Sequence, residues 1–224
     1  MPLQKSKKIL IYLFLFFIIG TFNNKNLTNL ELMKISEIKV EGLDEKSNLK
    51  LKNDLEFLKL NNLFHIDKLA IRRIINSNNL VEDFSVFKYY PSAIEISIKK
   101  TKFLAKVKKN GLDYFLGSNG KLIQDDYFNI EVPVIFGNFN NENFFVLKKA
   151  IKDSDFDYNN IKKLFFFKSG RWDIETSSGL LIKLPQKNVT DSLKLAIKFF
   201  NDDTQNLISR IDLRQQNQII IDER

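Results

Sequence analysis

The longest apolar run in the chain lies at residues 9–22, behind a basic tip of Lys5, Lys7 and Lys8. From Asn23 onward apolar residues are spaced for helices and half-buried strands, and no later segment is continuous enough to cross a bilayer. As a helix the run measures about 21 Å, against about 30 Å of hydrocarbon. That length also suits the apolar region of a cleavable signal peptide. The exit, Ile18-Ile19-Gly20-Thr21-Phe22-Asn23, has no small-x-small cleavage site. A retained short anchor is therefore expected, accommodated by local thinning or by snorkelling lysines. Lysines on its N-terminal flank keep residues 1–8 in the cytoplasm and send the rest across.

Residues 34–40 alternate, with Ile35, Ile38 and Val40 among polar neighbours, and predict a strand that Gly42 ends. Residues 47–60 place Leu51, Leu55 and Leu58 at helical spacing, and Asn61-Asn62 breaks that helix. Asp67 is positioned to cap a second helix carrying Ala70, Ile71, Ile74 and Ile75 on one face. Strands follow over 81–89 and 93–101, joined at Tyr90-Pro91-Ser92, and Ile94, Ile96 and Ile98 share one face of the latter. The order is β-α-α-β-β, a three-stranded sheet covered on one face by two helices. Phe64 and Ile66 are expected to plug the sheet beneath the helices while His65 points to solvent.

Residues 103–224 read as a second, β-rich α+β domain. Short strands are predicted at 104–107, 114–116 and 121–123, with Asn110-Gly111 and Asn119-Gly120 as hairpin turns. Pro133 makes 132–136 a loop or an edge. A helix at 141–152 precedes a three-stranded meander at 161–167, 171–176 and 180–184. A helix at 190–201, with Leu193, Ile197 and Phe200 inward, leads to two last strands at 208–213 and 218–221.

Composition narrows the chemistry. Cysteine is absent, so an exported chain must stand on its core; 21 phenylalanines make one possible. The net charge of +8 comes from scattered lysines on wet faces, without an arginine cluster, and nucleic acid is not the expected partner. The single histidine, His65, has no neighbour at metal-ligand spacing. No phosphate loop occurs among the eight glycines, and Asp153, Asp155 and Asp157 lack the glycine and glutamate of a calcium loop. Nothing calls for a cofactor, a metal or a catalytic residue, and an enzyme is not expected.

Three short pieces give the first domain a family likeness: Ile38-Lys39-Val40-Glu41-Gly42, Leu63-Phe64-His65-Ile66-Asp67, and Tyr90-Pro91 before Ile94-Glu95-Ile96-Ser97-Ile98. In this order they resemble a POTRA domain. The residues that follow are too few for the eight or more strands of an outer-membrane barrel. A tip at 1–8, an anchor at 9–22, a POTRA domain at 34–102 and a β domain at 103–224 resemble the cell-division family FtsQ/DivIB. Gly117-Ser118-Asn119-Gly120-Lys121, Gly170-Arg171-Trp172-Asp173-Ile174 and Ile211-Asp212-Leu213-Arg214 extend the likeness. Where that family often continues with an aromatic residue and glycine, this chain has Gln215-Gln216-Asn217.

The resemblance implies a non-enzymatic divisome scaffold, single-pass in the inner membrane, with its bulk in the periplasm at the septum. It implies partners of the FtsB and FtsL kind, small bitopic proteins that connect early septal-ring proteins to septal peptidoglycan synthesis. The partner-binding residues expected are Arg171, Lys183, Arg214, Gln215, Asn217, Ile219, Ile220 and Ile221. The last strand ends within a few residues of the chain terminus, and an uncovered edge is a template for strand addition. Two other readings stay open: a POTRA-bearing periplasmic scaffold outside division, and an exported small-molecule-binding protein, which needs a concave apolar pocket.

Overall fold

The computed structural model describes residues 3–22, 33–124, 130–200, 208–215 and 218–223. Helix α1 runs Leu3–Phe22. Its lysines occupy the first turns, and among the described residues no helix is long and apolar enough to cross a membrane. Every side chain from Ile9 to Phe17 is nevertheless exposed, with Phe14 at 65% and Phe16 at 74%. A helix that is apolar all round has no face suited to water.

The chain divides into two compact units, residues 1–77 with 84–98, and residues 78–83 with 99–224. The first holds β1 (Glu37–Glu41), α2 (Glu45–Asp54) and α3 (Lys68–Ser77). Most of β2 (Val81–Tyr89) and β3 (Ala93–Lys100) also belongs to it. The sheet order is β1-β3-β2, with β1 parallel to β3. Ile38 faces Ile94 and Val40 faces Ile96, so the alternating isoleucines fall on one side, where Ile38, Ile94, Ile96 and Ile98 are buried.

Caps set the helix starts. The Asp44 side chain accepts from Ser47 N at 3.0 Å, and Asp67 Oδ1 accepts from Leu69 N and Ala70 N at 2.9 Å each. The helix predicted over 47–60 is two pieces, α2 and a 3-10 turn at Glu56–Leu60; Leu51, Leu55 and Leu58 are buried across both. Gly42 sits at φ +110°, and a Cβ there would lie 1.8 Å from the Ile98 carbonyl oxygen. Only glycine lets the chain leave β1 against β3.

The expected plug beneath the helices is one residue off. Leu63 is fully buried, whereas Phe64 is 60% exposed and Ile66 only half-buried. The Asn62 side chain accepts from Phe64 N and His65 N, and the resulting turn aims residue 63 inward and residue 64 out.

The second unit is built on a nine-stranded mixed sheet. Its strands are β4 (Phe103–Lys109), β5 (Leu112–Gly117), β6 (Leu122–Gln124), β7 (Val134–Phe136), β8 (Ile161–Phe166), β9 (Trp172–Thr176), β10 (Leu181–Lys183), β11 (Ile208–Asp212) and β12 (Ile220–Glu223). The spatial order is β12-β11-β10-β9-β8-β7-β4-β5-β6. Helices α4 (Asn141–Asp153) and α5 (Val189–Phe200) supply Phe144, Leu147, Ile151, Leu193 and Ala196 to one core with Leu164, Ile174, Ile182 and Ile211 of the sheet. Asn140 and Asn143 form a reciprocal cap on α4. Phe200 is outside the residues whose side chains are described, as are Asp125 and Asp126.

Residues 134–136 are neither loop nor edge. Strand β7 lies inside the sheet, parallel to β4 and β8. Pro133 precedes the strand, so its missing N–H is not demanded by the ladder, and its carbonyl accepts from Lys106 N at 2.8 Å.

The Gly117–Lys121 turn is a brace. The Asn119 amide donates to the carbonyls of Asn79 and Val81 at 2.9 and 2.8 Å, and its oxygen accepts from Lys121 N. Ser118 Oγ donates to Glu82 at 2.6 Å, and Thr101 Oγ1 joins the same carboxylate.

Candidate functional site

Side chains alternate along a strand, so residues two apart share a face. Around β9, β10 and β11, Ile174, Ile182 and Ile211 point into the core, and the residues between them form a polar row on the other face. In register across the sheet, Asp173 faces Lys183, Lys183 faces Asp212, and Asp212 faces Ile220. One step along, Lys163 pairs with Glu175 at 2.9 Å and Arg210 with Asp222.

Arg171 and Arg214 complete the row, each two residues from a carboxylate on its own chain segment. Arg214 Nε donates to both oxygens of Asp212, at 2.8 and 3.0 Å, and a terminal guanidinium nitrogen donates to Oδ2. Asp212 also accepts from Arg214 N. Hydrogen bonding to Arg214 holds the Asp212 carboxyl below its ordinary value, and Arg214 is held correspondingly above its own. Arg171 is placed differently. Its guanidinium lies 4.2 Å from the Phe167 ring centroid, and its Nε is 3.6 Å from Asp173 Oδ1, an ion pair rather than a hydrogen bond.

Asp173 is only 3% exposed, and its Oδ1 has no hydrogen-bond partner. Burial pushes its pKa up; the neighbouring charges of Arg171, Lys183 and Arg214 hold it back in part. Three cations thus converge on two carboxylates, of which one is tightly satisfied and one is not.

Beside this row is the sheet's end. Strand β12 pairs only with β11, so its outer edge faces no strand among the described residues. Ile221 stands opposite Ile211 and Ile220 opposite Asp212. Ile220 and Ile221 are 43% and 38% exposed, on opposite faces of the strand, while Ile219 packs against the core. Burial of this strand on both faces is excluded. A cleft of about 850 Å³ next to it is lined by Asn188, Asp191, Leu195, Arg214, Gln215 and Gln218 among others. It is open, and charged and amide side chains interrupt its apolar lining, unlike an enclosed apolar ligand pocket.

The expected residues Arg171, Lys183, Arg214, Gln215, Ile219, Ile220 and Ile221 therefore fall along one end of the sheet. Asn217 lies outside the described residues. Sequence reasoning passed over Asp173 and Asp212, which organise the cations. The signal was present: Arg171-x-Asp173 and Asp212-x-Arg214 place opposite charges two residues apart, each at the end of a strand.

Two family models match the chain. The FtsQ-type POTRA domain covers residues 33–100, and the C-terminal domain of cell division protein FtsQ/DivIB covers residues 105–214. The chain belongs to the FtsQ/DivIB family. Among curated proteins, it is similar to the cell division protein FtsQ of Agrobacterium fabrum, 23% identical over 188 residues covering 80% of this chain and 58% of that one. It is also similar to the cell division protein FtsQ of Rhizobium meliloti, 25% identical over 199 residues, covering 84% and 62%. The chain thus spans about three fifths of the length of these FtsQ relatives. The FtsQ/DivIB assignment accounts for both units, the first as POTRA and the second as the family's β-rich domain.

Proposed function

We propose that this FtsQ/DivIB-family chain is a non-enzymatic scaffold of the divisome that captures a bitopic partner of the FtsB or FtsL kind by strand addition at β12. The POTRA domain is assigned to 34–102 and the β domain to 103–224. One observation carries the proposal: β12 is an edge strand with Ile220 and Ile221 exposed, and Ile220 adjoins a row of three cations. An extended partner segment gains main-chain hydrogen bonds along such an edge, and alternate side chains supply specificity. Arg171, Lys183 and Arg214 would steer an acidic segment toward it.

Residues 9–22 act as the anchor in this reading, with residues 1–8 in the cytoplasm and both domains in the periplasm at the septum. The support is the all-round exposure of the apolar α1 side chains, which no part of the chain covers among the described residues. A span this short fits a bilayer by local thinning and by snorkelling of Lys7 and Lys8.

Successive N–H groups along a strand point to opposite edges. Of Ile220→Pro and Ile221→Pro, one therefore removes an outward donor and the other a donor to β11. The test is capture of the partner's periplasmic segment by the full chain, with circular dichroism on each variant. At least one folded proline variant should lose capture. Undiminished capture by both would place the site elsewhere.

A further inference from the structure

The POTRA unit carries a cluster of exposed apolar side chains that its own core does not use. Leu60 is 83% exposed, Phe64 60% and Tyr90 59%; the rings of Phe64 and Tyr90 lie 6.1 Å apart. All three surround the point where the chain enters the unit. Ile35 N donates to Asn61 O at 3.1 Å, Leu63 N donates to Met33 O at 2.9 Å, and Lys34 bridges Asn62. The turn after Tyr90 is held there too, because Ser36 N donates to Ser92 O at 2.9 Å. The immediate neighbours of the exposed side chains, Asn61, Leu63 and Ser92, are thus hydrogen-bonded to residues 33–36, the first described after the apolar helix.

Ten residues, 23–32, separate Phe22 from Met33. Fully extended, they reach about 33–36 Å. This argument rests on the anchor reading of residues 9–22. Given that anchor, Met33 and everything bonded to it stay within one short tether of the bilayer surface. We infer that Leu60, Phe64 and Tyr90 insert into the headgroup boundary of the membrane and dock the POTRA unit on it. Tyrosine suits that depth, with its ring in the apolar boundary and its hydroxyl in water. Lys34, Lys59, Lys68 and Lys88 flank the cluster in sequence against Glu56 and Asp67, so the local charge favours an anionic lipid surface. Lys88 Nζ donates to the Leu63 carbonyl at 2.5 Å, which places one of these cations beside the cluster. A single such patch binds weakly, but the tether supplies a high effective concentration.

The absence of cysteine makes a single-site probe clean. His65→Cys, exposed and adjacent to the cluster, would carry a nitroxide on the full chain in phosphatidylethanolamine–phosphatidylglycerol vesicles. Val146→Cys, exposed on α4, and Phe14→Cys in α1 serve as references. The expected result is a several-fold higher ratio of oxygen to nickel-chelate accessibility at 65 than at 146. That excess should vanish when Leu60, Phe64 and Tyr90 are all changed to serine. A probe at 65 as aqueous as at 146, with Phe14 in hydrocarbon, overturns the docking and spares the anchor. An aqueous Phe14 probe overturns both. Shielding at 65 from both reagents marks a protein cover and overturns the lipid assignment.

Discussion

Arg214 grips Asp212 through both carboxylate oxygens, at 2.8 and 3.0 Å from Nε, and thereby fixes a cation one strand away from the sheet edge. The spacing is two residues, and the grip ties the end of β11 to the segment that follows it. Asp212→Asn should free that guanidinium. The Arg214 side chain is 41% exposed, so solvent screens the pair and the loss should be about 1 kcal/mol. The pH dependence has a definite sign. Folding lowers the Asp212 pKa from its ordinary 3.8, so the pair's contribution is complete above about pH 4. It is lost as pH falls through the lowered value. Thermal melts from pH 2 to 7 should show a shallower acid limb for the variant.

Asp173 should behave the other way. Folding raises its pKa, so the folded protein holds this proton more tightly than the unfolded chain does. Ionisation above the raised value then costs stability. Asp173→Asn is expected to cost less than Asp212→Asn at pH 7, since burial already disfavours the charged carboxylate and one of its oxygens is unpartnered. Melting the two asparagine variants side by side checks this. Equal destabilisation by both would mean that Asp173 is satisfied by its cations after all.

Within the POTRA unit, Leu63→Ala should cost about 2–5 kcal/mol as a core truncation. Phe64→Ala should cost about 0.5 kcal/mol or less, as an exposed change. Urea titrations of the full chain, followed by a probe within the first unit, measure both. The reverse order would restore Phe64 to the core.

Asn119→Ala removes three hydrogen bonds at once, two of them donated to the Asn79 and Val81 carbonyls. About 1–3 kcal/mol is expected, because those acceptors are left unpaired. Asn119→Asp keeps the acceptor for Lys121 N but loses both donors, so it should cost nearly as much. Denaturant midpoints for the two variants decide.

What could be read from sequence follows periodicity and caps. The isoleucines of β3 alternate without interruption, and Asp67 precedes an apolar helical face, so both were legible. Phe64 was misplaced because 63–66 is a turn, where period-2 and period-3.6 rules do not apply and the Asn62 side chain sets the direction. Strand β7 escapes the sequence rules because Pro133 reads as a member of the strand, whereas it lies one residue outside. The β8-β9-β10 meander and the β4-β5-β6 hairpins were legible from their turns, but not how they join, since β4, β7 and β8 pair in parallel across long crossovers that leave no local mark. Of the site, the cations and the edge isoleucines were legible as residue types. Their convergence depends on the register of β9, β10 and β11, which only tertiary structure sets.

The central claim is main-chain pairing at the outer edge of β12. Amide hydrogen exchange across residues 220–223 of the full chain, with and without the partner's periplasmic segment, tests it most directly. The account predicts that alternate amides, those pointing away from β11, slow markedly when the segment binds, while those already bonded to β11 change little. Saturated binding with no change at any β12 amide would contradict it.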